Sequence, residues 1–162
     1  MFADDVELWD LLRSLDDSEH LESPAGYDHQ RVRARFERLV QRLDGDFNCR
    51  CGVDRNVQDA ALHGRIELPA HATATRRPLV MSISNFGDLA VLSLDEPGVW
   101  TDAEMAELLH PDDAHRSDSA LADLGYRLIP EKPLWRRYDG VWDPAVFAPQ
   151  SGTWWIRFFD YL

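Results

Sequence analysis

Leu79-Val80-Met81-Ser82-Ile83-Ser84-Asn85-Phe86-Gly87-Asp88-Leu89-Ala90-Val91-Leu92-Ser93-Leu94 is the stretch that decides the fold class of this chain. Residues 79–84 and 89–94 read as two strands, and Asn85-Phe86-Gly87-Asp88 between them supplies the residue types that tolerate a left-handed backbone in a tight turn. A hairpin of this kind makes an antiparallel pair.

Working toward the N-terminus, Leu62, Gly64, Ile66 and Leu68 alternate with His63, Arg65 and Glu67 until Pro69 ends the run, and Phe47, Cys49 and Cys51 alternate with Asn48 and Arg50. Period-two alternation predicts two further strands. Before Gly45 the period changes to that of a helix: Val32, Phe36, Leu39, Val40 and Leu43 recur on one face and predict a helix over 28–43. Leu8, Leu11, Leu12 and Leu15 predict a shorter amphipathic helix over 4–15, with Asp4 and Asp5 at its positive end. The polar segment 16–26, with Pro24 and Gly26, reads as a loop.

Toward the C-terminus, Thr101 and Glu104 form a capping box ahead of Met105, Leu108 and Leu109, and Pro111-Asp112-Asp113 opens a second helix that ends near Gly125. Tyr126–Ile129 and Leu134–Tyr138 read as short strands, with Asp139-Gly140 as a turn. The final run Thr153-Trp154-Trp155-Ile156-Arg157-Phe158-Phe159-Asp160-Tyr161-Leu162 is apolar on both faces and predicts a buried central strand. Deletion of Phe158–Leu162 is therefore expected to abolish soluble expression. Together these elements predict one α+β domain over 1–162, in which N-terminal helices precede a mainly antiparallel sheet and a helical pair is inserted before the last strands.

Composition bounds the function. A chain of 162 residues hides roughly 70% of its unfolded surface on folding, enough for a core without staples. The net charge of −12, from 29 acidic and 17 basic residues, repels phosphate backbones and anionic lipid, so neither nucleic acid nor membrane is an expected partner, whereas a basic protein is. No stretch approaches the roughly 18 apolar residues of a membrane span, and Met1–Asp5 lacks the basic and apolar regions of a signal peptide. The two cysteines, Cys49 and Cys51, are poorly spaced for a strand disulfide, which together with the absent signal makes a cytoplasmic location the expectation.

The chain contains no G-x-x-x-x-G-K, G-x-G-x-x-G, H-E-x-x-H or G-x-S-x-G. Lysine chemistry would rest on Lys132 alone, since the other 16 basic residues are arginine. Cys49, Cys51 and His63 are the best constellation: alternate strand residues share a face, and a neighbouring strand could bring the imidazole near, either to begin a zinc site or to pair a thiol with a base. A fourth ligand and an orienting group are both missing, so no catalytic residue, metal or cofactor is assigned. Arg31, Arg35, Arg38 and Arg42 form a basic stripe beside the apolar face of the 28–43 helix, either a solvated flank paired with nearby acids or a site for an acidic partner.

From Asp88 to Gly125 there are ten acidic residues against one basic residue, Arg116. A field of one sign steers an oppositely charged protein and can raise association from roughly 10⁵–10⁶ to 10⁸–10⁹ M⁻¹s⁻¹. The candidate partner-binding residues in this segment are Asp95, Glu96, Trp100, Asp102, Glu104, Glu107, Asp112 and Asp113, with Trp100 beside Pro97-Gly98 as the aromatic anchor. Asp112 and Asp113 equally suit the first turn of a helix.

Ser84–Leu92, Leu124-Gly125-Tyr126 to Pro130 with Tyr138-Asp139-Gly140, and Trp154–Leu162 resemble bacterial polymorphic-toxin immunity proteins in general format: small, acidic, mixed α and β, with an aromatic closing segment. The resemblance spans the last half of the chain. It implies a cytoplasmic antidote that binds one cognate toxin domain and blocks its active site, with no cofactor. A non-catalytic interaction or adaptor module, a mimic of DNA, and an enzyme centred on Cys49, Cys51 and His63 are the other readings.

Overall fold

The computed structural model describes residues 5–57, 60–149 and 152–160. Its centre is the expected hairpin: β3 (Leu79–Ser84) pairs antiparallel with β4 (Leu89–Leu94), with Met81 opposite Leu92. β2 (Leu62–Leu68) lies antiparallel against the other side of β3, with a register shift between Leu62 and Gly64, and β1 (Gly52–Asp54) forms the edge beyond it. β5 (Arg127–Leu128) adds to β4 in parallel, giving the order β1-β2-β3-β4-β5. The class is α+β with a mainly antiparallel sheet.

Alternation along the strands feeds two cores. Ile66, Leu68, Leu79, Met81, Ile83, Ala90, Leu92 and Leu94 meet Phe36, Leu39, Val40 and Leu43 of α2 (His29–Asp46) and Ala120 and Leu121 of α4 (Pro111–Asp123). Leu89 and Val91 join the opposite core, with Leu8 and Leu12 of α1 (Asp5–Leu15) and Trp154, Trp155, Phe158 and Phe159 of α5 (Trp154–Phe159). Because helices cover both faces, every residue of β3 and β4 is buried.

The helix termini follow their sequence signals. Asp28 caps α2 by accepting the Arg31 N–H, and Thr101 and Glu104 complete the capping box of α3 (Asp102–Leu108). Pro111 occupies the first turn of α4.

Three expected strands are replaced. The run Trp154–Phe159 is a helix, capped by Thr153 Oγ1 accepting the Ile156 N–H at 3.3 Å. A segment buried all round has no periodicity to separate strand from helix, and six residues fit either; Tyr161 and Leu162 lie outside the described residues. Phe47–Cys51 is the exit from α2: Phe47 caps the helix, Asn48 takes a left-handed φ of 48°, and the Asp44 carboxylate accepts the Cys51 N–H at 2.8 Å. Lys132–Trp135 forms a 3₁₀ turn opened by Pro133, and the only pairing from the Leu134–Tyr138 stretch, among the described residues, is the isolated bridge of Arg137 with Thr153.

Candidate functional site

The acidic residues between β4 and α4 divide by what they already hold. Asp113 is fully buried; its carboxylate accepts the Ala74 N–H at 3.0 Å and the Thr75 N–H at 2.7 Å, together with the Thr75 hydroxyl, and so fixes the turn before β3 to the start of α4. Asp95, with φ 62°, accepts the Trp100 indole N–H at 2.7 Å and the Arg77 guanidinium at 3.0 Å. Trp100 is half-buried against the first core, so its anchor surface is only its outer edge. Asp102 accepts the Lys132 N–H at 3.3 Å, and Glu104 is engaged in its capping box.

The remaining acids face solvent. Glu96, Glu107 and Asp112 are exposed, as is Asp118 on α4, and among the described residues none makes an arginine or lysine ion pair. Asp112 lies 3.8 Å from His110 Nδ1. Among them stand two exposed apolar side chains, Val99 at 53% and Leu108 at 39% exposure. α3 itself buries none of its seven residues completely.

A feature with no local sequence signal borders this surface. Glu131 is 7% exposed, and its carboxylate accepts from the Ser93 hydroxyl, from Gly98 N at 2.9 Å and from Trp135 Nε1 at 2.9 Å. One buried carboxylate thereby ties β4, the β4–α3 loop and the 132–135 turn together. Its donors lie up to 38 residues away in sequence, a relation no short motif encodes.

Cys49, Cys51 and His63 are not brought together. In the β1–β2 register Gly52 opposes Glu67, whereas His63 lies toward the other end of β2, opposite the β3 end at Ile83–Ser84. The third residue near the thiols is Asp44: one ligand atom from each of Asp44, Cys49 and Cys51 lies within 4.8 Å of the others. Burial raises both thiol pKa values, and hydrogen bonding to Asp44 raises that of Cys51 further, so both are protonated at neutral pH.

His63 instead sits at the β2 register shift, its ring edge-on to Phe36 at 4.9 Å. Asn85 Nδ2 donates to the Glu22 and Ala60 carbonyls, so Asn85 Oδ1 faces His63 Nδ1 at 3.1 Å and also accepts from the Tyr27 hydroxyl at 3.0 Å. Nδ1 must then carry the proton. Burial pulls the imidazole pKa down to about 4.

The basic stripe on α2 is partly spent within the fold. Arg35 donates to Asp88 at 2.7 Å and lies over the Tyr126 ring, and Arg42 joins Asp46 and Asp123. Arg31 and Arg38 are exposed.

No protein-family model, no curated protein and no solved structure matches this chain in comparison searches.

Proposed function

We propose that this protein is an immunity-type inhibitor that acts in the cytoplasm by binding a basic, cognate toxin domain through the surface formed by the β4–α3 loop, α3 and the start of α4. The observation that carries the reading is the combination on that surface of exposed carboxylates that, among the described residues, have no arginine or lysine partner, Glu96, Glu107 and Asp112, with exposed Val99 and Leu108. Acids left without an arginine or lysine partner keep their field available to an oppositely charged protein, and the apolar side chains beside them offer area to bury. A partner of opposite charge gains steering from the acids and buried area from the apolar residues.

The structural acids Asp95 and Asp113 hold the frame on which this surface rests. Asp102 and Glu104 fix the start of α3, so the partner meets a preorganised surface.

The test is a parallel capture from the native lysate with the wild-type chain and with a Glu96→Lys/Glu107→Lys/Asp112→Lys variant, at low and at high salt. The expected result is one stoichiometric basic protein held by the wild type, lost by the variant and weakened by salt. Expressed alone, that protein should arrest growth, and co-expression of the wild-type chain should restore it. Equal retention by both chains, or a partner harmless when expressed alone, overturns the reading.

A further inference from the structure

Trp135 is 40% exposed yet fixed on three sides. Its Nε1 is held by the buried Glu131, and its ring stacks on Trp155 at 5.0 Å and 17°, which stacks in turn on Phe159 at 5.2 Å and 24°. Gly98 lies against its edge with φ +85°: a Cβ there would stand 3.2 Å from Trp135 Cζ2, and the Gly98 N–H donates to the same Glu131. The loop is thus shaped to the ring, and the hydrogen bond, the stack and the glycine contact restrict its rotamers before anything binds.

This indole lines a groove of about 580 Å³ on the α5 side of the sheet, bordered by Gly52–Asp54 of β1, Arg65 and Glu67 of β2, and Trp155 of α5. The charged side chains lining it are Asp54, Glu67, Glu96, Asp160 and Arg65, four carboxylates against one guanidinium and formally −3. Arg65 is turned inward, donating to the Phe159 carbonyl at 2.9 Å with Asp160 3.9 Å away. Glu67 and Glu96 are the exposed members of the set.

We propose that this groove receives a cationic side chain, an arginine or lysine of a protein partner, laid against Trp135 with its charge met by Glu67 and Glu96. A held indole lining an acidic groove attracts a cation through its ring quadrupole, and tryptophan is among the residues enriched at binding hot spots. The groove's charge rejects phosphate and carboxylate ligands. That the cation belongs to a protein rests on the inhibitor reading above, whose exposed Glu96 is shared by both surfaces; the chemistry of the groove does not.

The experiment needs no partner. Indole ¹⁵N–¹H signals of the full chain are followed during titration with acetyl-arginine-amide and acetyl-lysine-amide, with acetyl-glutamine-amide and N-acetylglucosamine as uncharged controls. The Trp135 signal is identified by its loss in Trp135→Leu or, if that chain does not fold, by its response to Gly98→Ala. It should shift saturably with the two cations, Trp155 moving with its stacking partner while the indoles outside the groove stay in place, and a Glu67→Gln/Glu96→Gln variant should bind about fivefold more weakly. No shift with either cation, an equal shift with an uncharged control, or undiminished binding by the double variant overturns the proposal. This titration can succeed where the lysate capture fails, and the reverse, so the two readings fall separately.

Discussion

Arg157 Nε donates to Asp16 Oδ1 at 2.7 Å across 141 residues of sequence, and both side chains are sealed from water. Further bonds surround the pair: Arg157 Nη1 and Nη2 donate to the Leu21 and His20 carbonyls, and Asp16 accepts the Tyr138 hydroxyl and the Val141 N–H. A Cβ on Gly140 would overlap the Asp16 carboxylate, so that turn approaches only because glycine occupies it. The pair pins the 16–21 loop to the 138–142 turn and to α5.

A buried pair is best judged by what each half costs when left alone. Asp16→Ala and Arg157→Ala are each expected to destabilise the fold by about 3–5 kcal/mol, since each strands a buried charge or its hydrogen-bond partners. The double variant should lose less than the sum. Urea denaturation of all three chains measures the coupling; strictly additive losses would show that the two side chains act independently.

α5 also explains why the C-terminus should not tolerate trimming, although the segment is a helix and not the strand its composition suggests. Deletion of Phe158–Leu162 removes Phe158 and Phe159, both fully buried, and unroofs Leu89 and Val91 in the same core. Losing one buried phenylalanine costs about 3–5 kcal/mol, so losing two exhausts the stability of an ordinary domain. Soluble expression of the truncated chain with wild-type thermal stability would contradict this packing.

How much could be read in advance depended on whether the signal was local. The β3–β4 hairpin, the Thr101 capping box and Pro111 are set by residues within a few positions of one another, and their elements form where the sequence places them. Trp154–Phe159 was illegible as a helix because burial on all sides erased its period. Phe47–Cys51 alternates like a strand, but Asn48 in the left-handed region and the reach of Asp44 to Cys51 N turn it into a helix exit. In the candidate site, exposed and structural acids look alike in sequence; only long-range partners separate Asp113 from Glu107.

That separation is itself a prediction. Asp113→Ala strands the Ala74 and Thr75 N–H groups and should cost about 2–4 kcal/mol of stability. Glu107→Lys, exposed and without an ion pair among the described residues, should leave the melting temperature within a degree or two, a change of less than about 0.5 kcal/mol. In the inhibitor reading the second change slows association with the basic partner and flattens its salt dependence. Melting curves of the two variants side by side decide the first half: matching losses would mean that Asp113 does no more than a surface acid.

His63 gives the fold a pH dependence separable from that of its carboxylates. The imidazole is 4% exposed; desolvation is the main cause that lowers its pKa to about 4, the Arg33, His29 and Arg35 charges add to it, and the bond to Asn85 opposes it. In the unfolded chain the same group titrates near 6.5. Between these values the unfolded state takes up a proton that the native state refuses, so stability is intact above about pH 6.5 and falls as pH drops toward 4, by about 3 kcal/mol across the window. The depressed carboxylates, Asp17, Glu37 and Asp139, act in the same direction but lie below the ordinary carboxylate range, which keeps their contribution out of the span from pH 6.5 to 5 where His63 acts. His63→Gln removes the titration there. Urea midpoints measured at intervals across that span should slope for the wild type and run nearly flat for the variant, whatever its starting stability; parallel slopes would place the proton elsewhere.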